Sequence, residues 1–330
     1  MTTKTMKAIT ATGYGSPEVF QFTSTATRPE PKRDEVLVKV MVSSATTADT
    51  MMRTGKPYIG RLFTGVTKPK YAIPGTGFAG IVEEVGSEVT SFKVGDRVFG
   101  ESKLGFSANA EYLSIPQTGV MLHMPDSMDF SEAASFADGH LTSYNFLRAI
   151  AQVKPGQKIL INGASGSLGT AAIQIAKYFG AEVTAVCSGK NIGLVKSLGA
   201  DHVVNYQEVD FTTSSQQYDF IYDTVGKSSF KACKSILTSS GTYLSPVLGF
   251  GLLMDMLKTS FSGSQKAKFE ATGANSAEVL RPMLQEVLTI FQEGKLKTVI
   301  DRQFPLEKLA DAHRYIDSGR KRGNVIIVHA

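Results

Sequence analysis

The sequence predicts an α/β protein in which a doubly wound parallel sheet is joined to a second, β-rich and barrel-like domain. Three patterns carry that expectation. Residues 7 to 125 alternate apolar and polar side chains over short runs separated by tight turns, the period-two signature of half-buried strands. From about residue 131, apolar runs of strand length alternate with helical patterns, as the connected units of a parallel sheet do. Between the first such run and the first helix lies "INGASGSLGTAAIQIAKYFGA", with glycines at 163, 166 and 169.

Taken in chain order, "EVLVKVMVSSA" (35–45) is a strand pattern rich in β-branched residues. "GIVEEVGSEVTSFKVGDRVFG" (80–100) alternates around Gly86 and around the Gly95-Asp96 turn. Between them, "MMRTGKPYIGRLFTGVTKPKYAIPGTG" (51–77) has no clear period and reads as a long loop, whose basic and aromatic side chains could line a mouth. "SEAASFADGHLTSYNFLRAI" (131–150) reads as a helix pair. The strand and helix alternation then runs through "QKILING", "TAAIQIAKYFG", "EVTAVCS", "IGLVKSLG", "HVVNY", "YDFIYDTVG", "SFKACKSIL" and "GTYLSPV", with "AKFEAT" (267–272) as the last strand. "AEVLRPMLQEVLTIFQEG" is an amphipathic helix, and the tail adds a strand, a helix and a strand. The β-rich domain is therefore expected over 1–125 and 273–330, and the parallel-sheet domain over 126–272.

A chain of 330 residues can bury a sizeable core and has room for two domains. Its two cysteines, Cys187 and Cys233, are too few for a disulfide framework, and no Cys/His cluster offers the spacing of a structural metal site. The opening "MTTKTMKAITATGYG" lacks the apolar core of a signal peptide, and no run of roughly 18 apolar residues could span a bilayer. These features predict a cytoplasmic protein. The formal charge of +5 is modest, and Lys and Arg are scattered apart from "GRKRGN" at 319–324, which reads as solvated surface; a nucleic-acid partner is not expected.

A lone glycine triplet means little, but here a strand enters the turn and a helix leaves it. Ala164-Ser165-Gly166-Ser167-Leu168-Gly169 fits the dinucleotide-binding pattern with Ala in the first glycine position. Gly166 would let the backbone approach a pyrophosphate, Gly169 would let the helix pack closely on the strand, and the helix N-terminus would aim its free N–H groups at the anion. A nucleoside triphosphate loop would need Gly-Lys-Ser/Thr, whereas Thr170 follows Gly169. The end of the second strand chooses the cofactor, because an acid there would bind a ribose 2′-hydroxyl and repel a 2′-phosphate. "CSGKN" instead supplies Ser188, Lys190 and Asn191, which favours NADP(H), while Glu182 sits at the wrong end of the strand. The competing reading of Lys190 is an ordinary exposed loop lysine.

Through "PGTGFAGIVEEVGSEVTSFKVGDRVFG", "INGASGSLGTAAIQIAKYFGA", "KSLGADHVVNY" and "GKLKTVIDRQFPLEKLADAHRYIDSGRKRGNVIIV", nearly the whole chain resembles the zinc-independent branch of the medium-chain dehydrogenase/reductase superfamily, the NADPH quinone oxidoreductase and enone reductase group. The resemblance implies a GroES-like catalytic domain folded from both chain ends, a Rossmann domain with strand order 3-2-1-4-5-6, and a cofactor in the cleft between them. It also implies that Thr142 and Asn324 lie along the cofactor and that Tyr206 joins Ser188, Lys190 and Asn191 around the adenosine phosphate. In the zinc-dependent relatives, metal ligands stand at positions held here within Ser44 to Asp49, at Thr76 and at Asp138, so thiolate and imidazole are gone and no metal is expected. Quinone reductases commonly have Asn where Thr46 stands; Thr46 is the candidate for the substrate contact usual for Asn, and the sequence leaves open whether it takes it over. Members that dimerise use the last Rossmann strand, here Ala267 to Thr272; others are monomers, and the sequence leaves the state open.

Without a Lewis acid, the favoured chemistry is reduction of a quinone or an α,β-unsaturated carbonyl, whose product anion is delocalised. Tyr58, in "GKPYIG", is the first candidate for substrate contact, with an ordinary loop aromatic as its competing reading. A short-chain dehydrogenase would place a Tyr four residues before a Lys, and Tyr222 precedes Lys227 by five. "GASGS" also fails the G-x-S-x-G pattern of a serine hydrolase elbow. An NADPH-binding regulator or RNA-binding protein with little turnover stays open as the alternative.

Overall fold

The first strand pattern to be tested against three dimensions is 35–45, and in the computed structural model, which describes residues 4–102 and 106–329, it becomes the longest strand. Val36, Val38 and Val40 point at period two into a core shared with Phe78, Val82, Val98, Leu113 and Met121. The chain divides into two compact units, Met1–Asp138 with Gly273–Gln285 and Thr298–Ala330, and Gly139–Thr272 with Glu286–Lys297.

In the first unit, β1 (Thr5–Ala11) and β2 (Phe20–Thr27) form an antiparallel pair. β3 (Glu35–Ala45) is the centre of a larger sheet, with β4 (Gly77–Val85), β5 (Arg97–Glu101) and β7 (Met121–His123) following on one side and β6 (Tyr112–Pro116) also pairing with β3. The chain's end returns to this sheet, where β15 (Asn324–Val328) pairs antiparallel with β3 and parallel with β14 (Ile300–Pro305). The stretch read as a loop from residue 51 begins inside a helix, α1 (Thr47–Thr54), because Thr46 and Asp49 form a capping box at its start. The short α2 (Arg61–Thr64) lies within the same stretch.

The first unit reaches Asp138, beyond the boundary drawn at 125, because α3 (Phe130–Ala134) and the residues from its end to Asp138 are packed into it. Ala134 and Ala137 lie against Gly77, and the Phe136 ring meets Phe99 of β5 edge-on at 5.5 Å. Residues 131–150 are not two helices joined by a turn. A π-helical stretch (Phe136–His140) leads to α4 (Leu141–Tyr144) and a second π stretch (Asn145–Ile150), a widened helical turn that leaves no periodic trace in a sequence.

The second unit is a six-stranded sheet in which every neighbouring pair is parallel. Its strands are β8 (Lys158–Asn162), β9 (Glu182–Cys187), β10 (His202–Asn205), β11 (Tyr218–Asp223), β12 (Leu237–Ser245) and β13 (Lys266–Phe269). They lie in the order β10-β9-β8-β11-β12-β13, the 3-2-1-4-5-6 arrangement of a Rossmann sheet. Connections run through α5 (Ser167–Tyr178), α6 (Ile192–Ser197) and α7 (Phe230–Cys233). A further helix, α8 (Phe250–Phe261), stands between β12 and β13 where the sequence suggests none. α9 (Ala277–Gln292) and α10 (Leu309–Asp317) complete the set. Among the described residues, no helix is long and apolar enough to cross a membrane.

Candidate functional site

In the second unit the central strand β8 is buried along Ile159 to Asn162 and ends in a turn that the backbone could not make with most residues. Gly163 has φ +77, and a Cβ there would lie 2.6 Å from Thr224 Oγ1. Gly169 is required for a different reason: a Cβ on it would come within 2.3 Å of the Gly163 carbonyl oxygen, so only glycine lets α5 approach the turn this closely. Gly166 has neither constraint. Its φ and ψ are extended, and a Cβ would meet only the Gly163 oxygen, at 3.4 Å. The space before it is open.

Gly166 is the N-cap of α5 and contributes no side-chain acceptor there, and the positive end of the helix dipole favours an anion at that point. The turn is braced from two sides. Ala164 N–H donates to the Val186 carbonyl of β9 at 3.0 Å, and the Ser143 hydroxyl donates to the Leu168 carbonyl at 2.8 Å. This second bond fixes α4, with the half-buried Thr142, beside the glycine turn.

At the end of β9, Asn191 Nδ2 donates to Ser165 Oγ at 2.9 Å and to Ser188 Oγ at 3.2 Å, which ties the second strand's end to the glycine loop. The buried Asn191 Oδ1 has no hydrogen-bond partner among the described residues. An orphaned buried acceptor costs about 1–3 kcal/mol unless a ligand donates to it. Lys190 is exposed beside this cluster, and Tyr206, 57 % exposed, follows β10 with its N–H on the Cys187 carbonyl at 3.2 Å. Glu182 lies at the opposite end of β9, against His202 at 2.8 Å and Lys158 at 3.8 Å. The positive end of the α5 dipole at a glycine N-cap, the open face of Gly166 and the unmet Asn191 acceptor fit a dinucleotide, and the Lys190 cation without a competing carboxylate fits a 2′-phosphate.

Asp223 is a residue that sequence reasoning passed over. Fully buried at the end of β11, it accepts from Asn162 Nδ2 (2.9 Å), Tyr243 OH (2.8 Å) and the N–H groups of Gly226 (3.0 Å) and Ser228 (2.9 Å). It orders the loop whose Thr224 packs on Gly163. Its only sequence signal is an acid followed by the turn-forming "TVG".

The first unit holds the remaining candidates. Thr46 is buried at the start of α1, where its hydroxyl donates to Asp49 Oδ2 at 2.8 Å and accepts from Asp49 N–H at 3.0 Å. Thr76 donates to Asp49 Oδ1 at 2.9 Å. Burial pushes the Asp49 carboxyl up to about 7, against the hydrogen bonds from Thr46 and Thr76 and with the help of Asp138. Glu101, at the end of β5, is pushed up to about 8 by burial and by Asp138 and Asp49. Positions that hold ligands in zinc-dependent relatives thus form a buried cluster of hydroxyls and carboxylates. That donor set does not fit a tetrahedral zinc centre, and among the described residues no three His, Cys, Asp or Glu side chains are placed to share a metal ion.

Lys321, inside the run read as solvated surface, is drawn inward, with Nζ 3.2 Å from the Gly323 carbonyl. Burial lowers its pKa while Asp138 and Asp301 raise it. Asn324 is buried at the start of β15, its N–H and Nδ2 both donating to the Val299 carbonyl, at 2.8 and 3.0 Å. Tyr58 lies on a 3₁₀ turn (Tyr58–Gly60), 66 % exposed, with the Arg61 guanidinium 4.9 Å from its ring centre. Glu101 and Lys321 escaped sequence reasoning, since a single acid after "RVFG" and a lysine in a basic run look like surface.

Comparison with known proteins agrees with this fold. Residues 32–126 match the alcohol dehydrogenase GroES-like domain family, and residues 198–327 match the zinc-binding dehydrogenase family. The chain is 32 % identical to a 2-methylene-furan-3-one reductase of Solanum lycopersicum, over 98 % of this chain and 79 % of that one. It is 30 % identical to the quinone oxidoreductase of Homo sapiens, over 96 % of this chain and 95 % of that one. Its fold superimposes on the Escherichia coli quinone oxidoreductase, solved in complex with NADPH, with a TM-score of 0.83, 25 % identity and coverage of 98 % of this chain and 99 % of the other.

Proposed function

The chain belongs to the quinone oxidoreductase group of the medium-chain dehydrogenase/reductase superfamily, and on that premise we propose that it reduces quinones or α,β-unsaturated carbonyls with NADPH and without a metal. The observation that carries this reading is the N-terminus of α5, with a glycine N-cap that supplies no side-chain acceptor, beside the Ser165–Asn191–Ser188 cluster, with Lys190 next to it and no carboxylate at that end of β9. The relatives are named for reductase activities, and the binding-only or RNA-binding alternative finds no support in them.

Bound there, NADPH supplies the hydride that the acceptor takes up. The first-turn N–H groups of α5, with Ser167 and Leu168, hold the pyrophosphate; Ser188, Lys190, Asn191 and Tyr206 hold the adenosine phosphate; Thr142 and Asn324 orient the rest. The acceptor oxygen gains charge as it is reduced, and a hydrogen-bond donor replaces the missing Lewis acid. Thr46 takes that part when Asp49 is protonated: the carboxyl O–H then donates to Thr46 Oγ, freeing the threonine proton for the acceptor. Tyr58 is the second donor, from the loop that precedes α2.

The test uses NADPH carrying deuterium at C4 and a panel of quinones, enones and saturated ketones. With an enone, the label is expected at the β-carbon and solvent hydrogen at the α-carbon. Label at the carbonyl carbon would instead mark a carbonyl reductase.

A further inference from the structure

The helix α8, between the last two Rossmann strands, carries large apolar side chains on both faces. Leu252 and Met256 pack inward against Phe230, Cys233, Ile236 and Tyr243, and Thr259 is buried beside them. The opposite face is uncovered. Phe250 (80 % exposed), Leu253, Met254, Leu257 (50 %) and Phe261 (89 %) recur at helical spacing and fall within an arc of about 100°. Five such side chains in one stripe exceed the scattered apolar residues of an ordinary surface.

The charge around this stripe is uneven. Of the chain's 35 Lys and Arg and 30 Asp and Glu, six and one respectively fall between Gly226 and Lys268, so the remainder balances at 29 of each. The six are Lys227, Lys231, Lys234, Lys258, Lys266 and Lys268, and the one acid is Asp255. The protein's whole net charge of +5 therefore resides in the segment that displays the stripe. Lys258 sits on α8 at the edge of the stripe, while the exposed Lys231 lies within α7 and Lys234 follows its end; Phe230 and Cys233 of α7 belong to the core cluster on which Leu252 and Met256 pack. Asp255 lies away from the stripe and is half-buried.

We propose that α8 is an interfacial helix that docks the protein on an anionic lipid membrane, its Phe, Leu and Met side chains entering the headgroup region while Lys258 of α8 and the exposed Lys231 and Lys234 meet the lipid phosphates and carboxylates. An apolar helical stripe bordered by lysines is the composition that such binding requires, each lysine near an anionic surface adding to the attraction. A second copy is the less favourable occupant, because a two-fold contact sets this patch against itself and lysine against lysine. The proposal is independent of the reductase reading and assigns a place of action for it: acceptors dissolved in the membrane.

The test is flotation of the full chain with vesicles of phosphatidylcholine alone and with about 30 % phosphatidylserine. Binding is expected only to the anionic vesicles and is lost when salt rises from about 0.1 M to about 1 M, which shortens the screening length from ~10 to ~3 Å. Phe250→Ser combined with Phe261→Ser should lower partition at least tenfold, and Lys231→Gln, Lys234→Gln and Lys258→Gln about fivefold each. NADPH affinity, measured on the same variants, should be unchanged and shows that they are folded. Failure to float with anionic vesicles, or flotation that the substitutions leave intact, overturns the proposal. Self-association in vesicle-free solution that the double Phe variant abolishes overturns it in favour of a second copy.

Discussion

Thr46 has its hydroxyl proton committed to Asp49 whenever that carboxyl is ionised, so its usefulness as a donor depends on pH. Burial holds the Asp49 carboxyl up to about 7, helped by the charge of Asp138, and the Asp49 charge in turn helps to hold Glu101 up to about 8. The Asp49 proton is present below about 7 and lost above it, so kcat/KM for a quinone should be highest on the acid side and fall as pH rises through about 7. Thr46→Val should remove both this limb and about 10²-fold or more of the rate, the lower range for a positioned proton donor, whereas Thr46→Ser keeps both. A pH profile for Thr46→Val that matches the wild type would remove Thr46 from the mechanism. The second prediction at this scale concerns Lys190, exposed and with no carboxylate competing for it. Lys190→Ala should weaken NADPH by about 1.5–3 kcal/mol, the range for hydrogen bonds to charged groups, and leave NADH nearly unaffected. Titration calorimetry with both cofactors decides it, equal losses for the two counting against a 2′-phosphate contact.

The glycine turn and α5 form one element in which two glycines three residues apart have separable duties. Gly169 has no room for a methyl group, while Gly166 has room and an open face. Gly169→Ala should therefore cost about 1–3 kcal/mol of stability through overpacking. Gly166→Ala should leave the urea midpoint nearly unchanged and weaken NADPH, because its methyl group occupies the space a pyrophosphate needs. The opposite pattern, with Gly166→Ala unstable and still able to bind, would mean that the turn is structural only. This element was legible in the sequence because strand, glycine spacing and helix all agree. So were the strands of both sheets, through alternation in the first unit and, in the second, through short apolar runs buried along nearly their whole length. α8 was not legible: with Leu252 and Met256 inward and Phe250, Leu257 and Phe261 outward, it lacks the polar face that marks a helix. The π stretches were hidden because a widened turn has no composition of its own, and the Asp49–Glu101 cluster because its members lie far apart in the chain.

At the scale of the whole molecule, the sheet centred on β3 and the sheet centred on β8 have separate apolar cores. Every position assigned to the cofactor except Asn324 lies in the second unit. A ligand that binds only the folded form stabilises whatever must unfold to release it, by about 2.7 kcal/mol at a concentration 100 times its Kd, or about a hundredfold in opening equilibrium. Amides of β8, β9 and β11 that exchange by opening of the second unit should therefore slow about a hundredfold with NADPH. Asn324, on β15 beside β3, is the assigned position in the first unit, so slowing in β3 and β4 tests its proposed hold on the cofactor. In Asn324→Ala, the slowing in β3 and β4 should shrink while that in β8 and β9 persists at saturating NADPH. If the slowing in β3 and β4 is instead the same in Asn324→Ala as in the unaltered protein, Asn324 makes no contact with the cofactor.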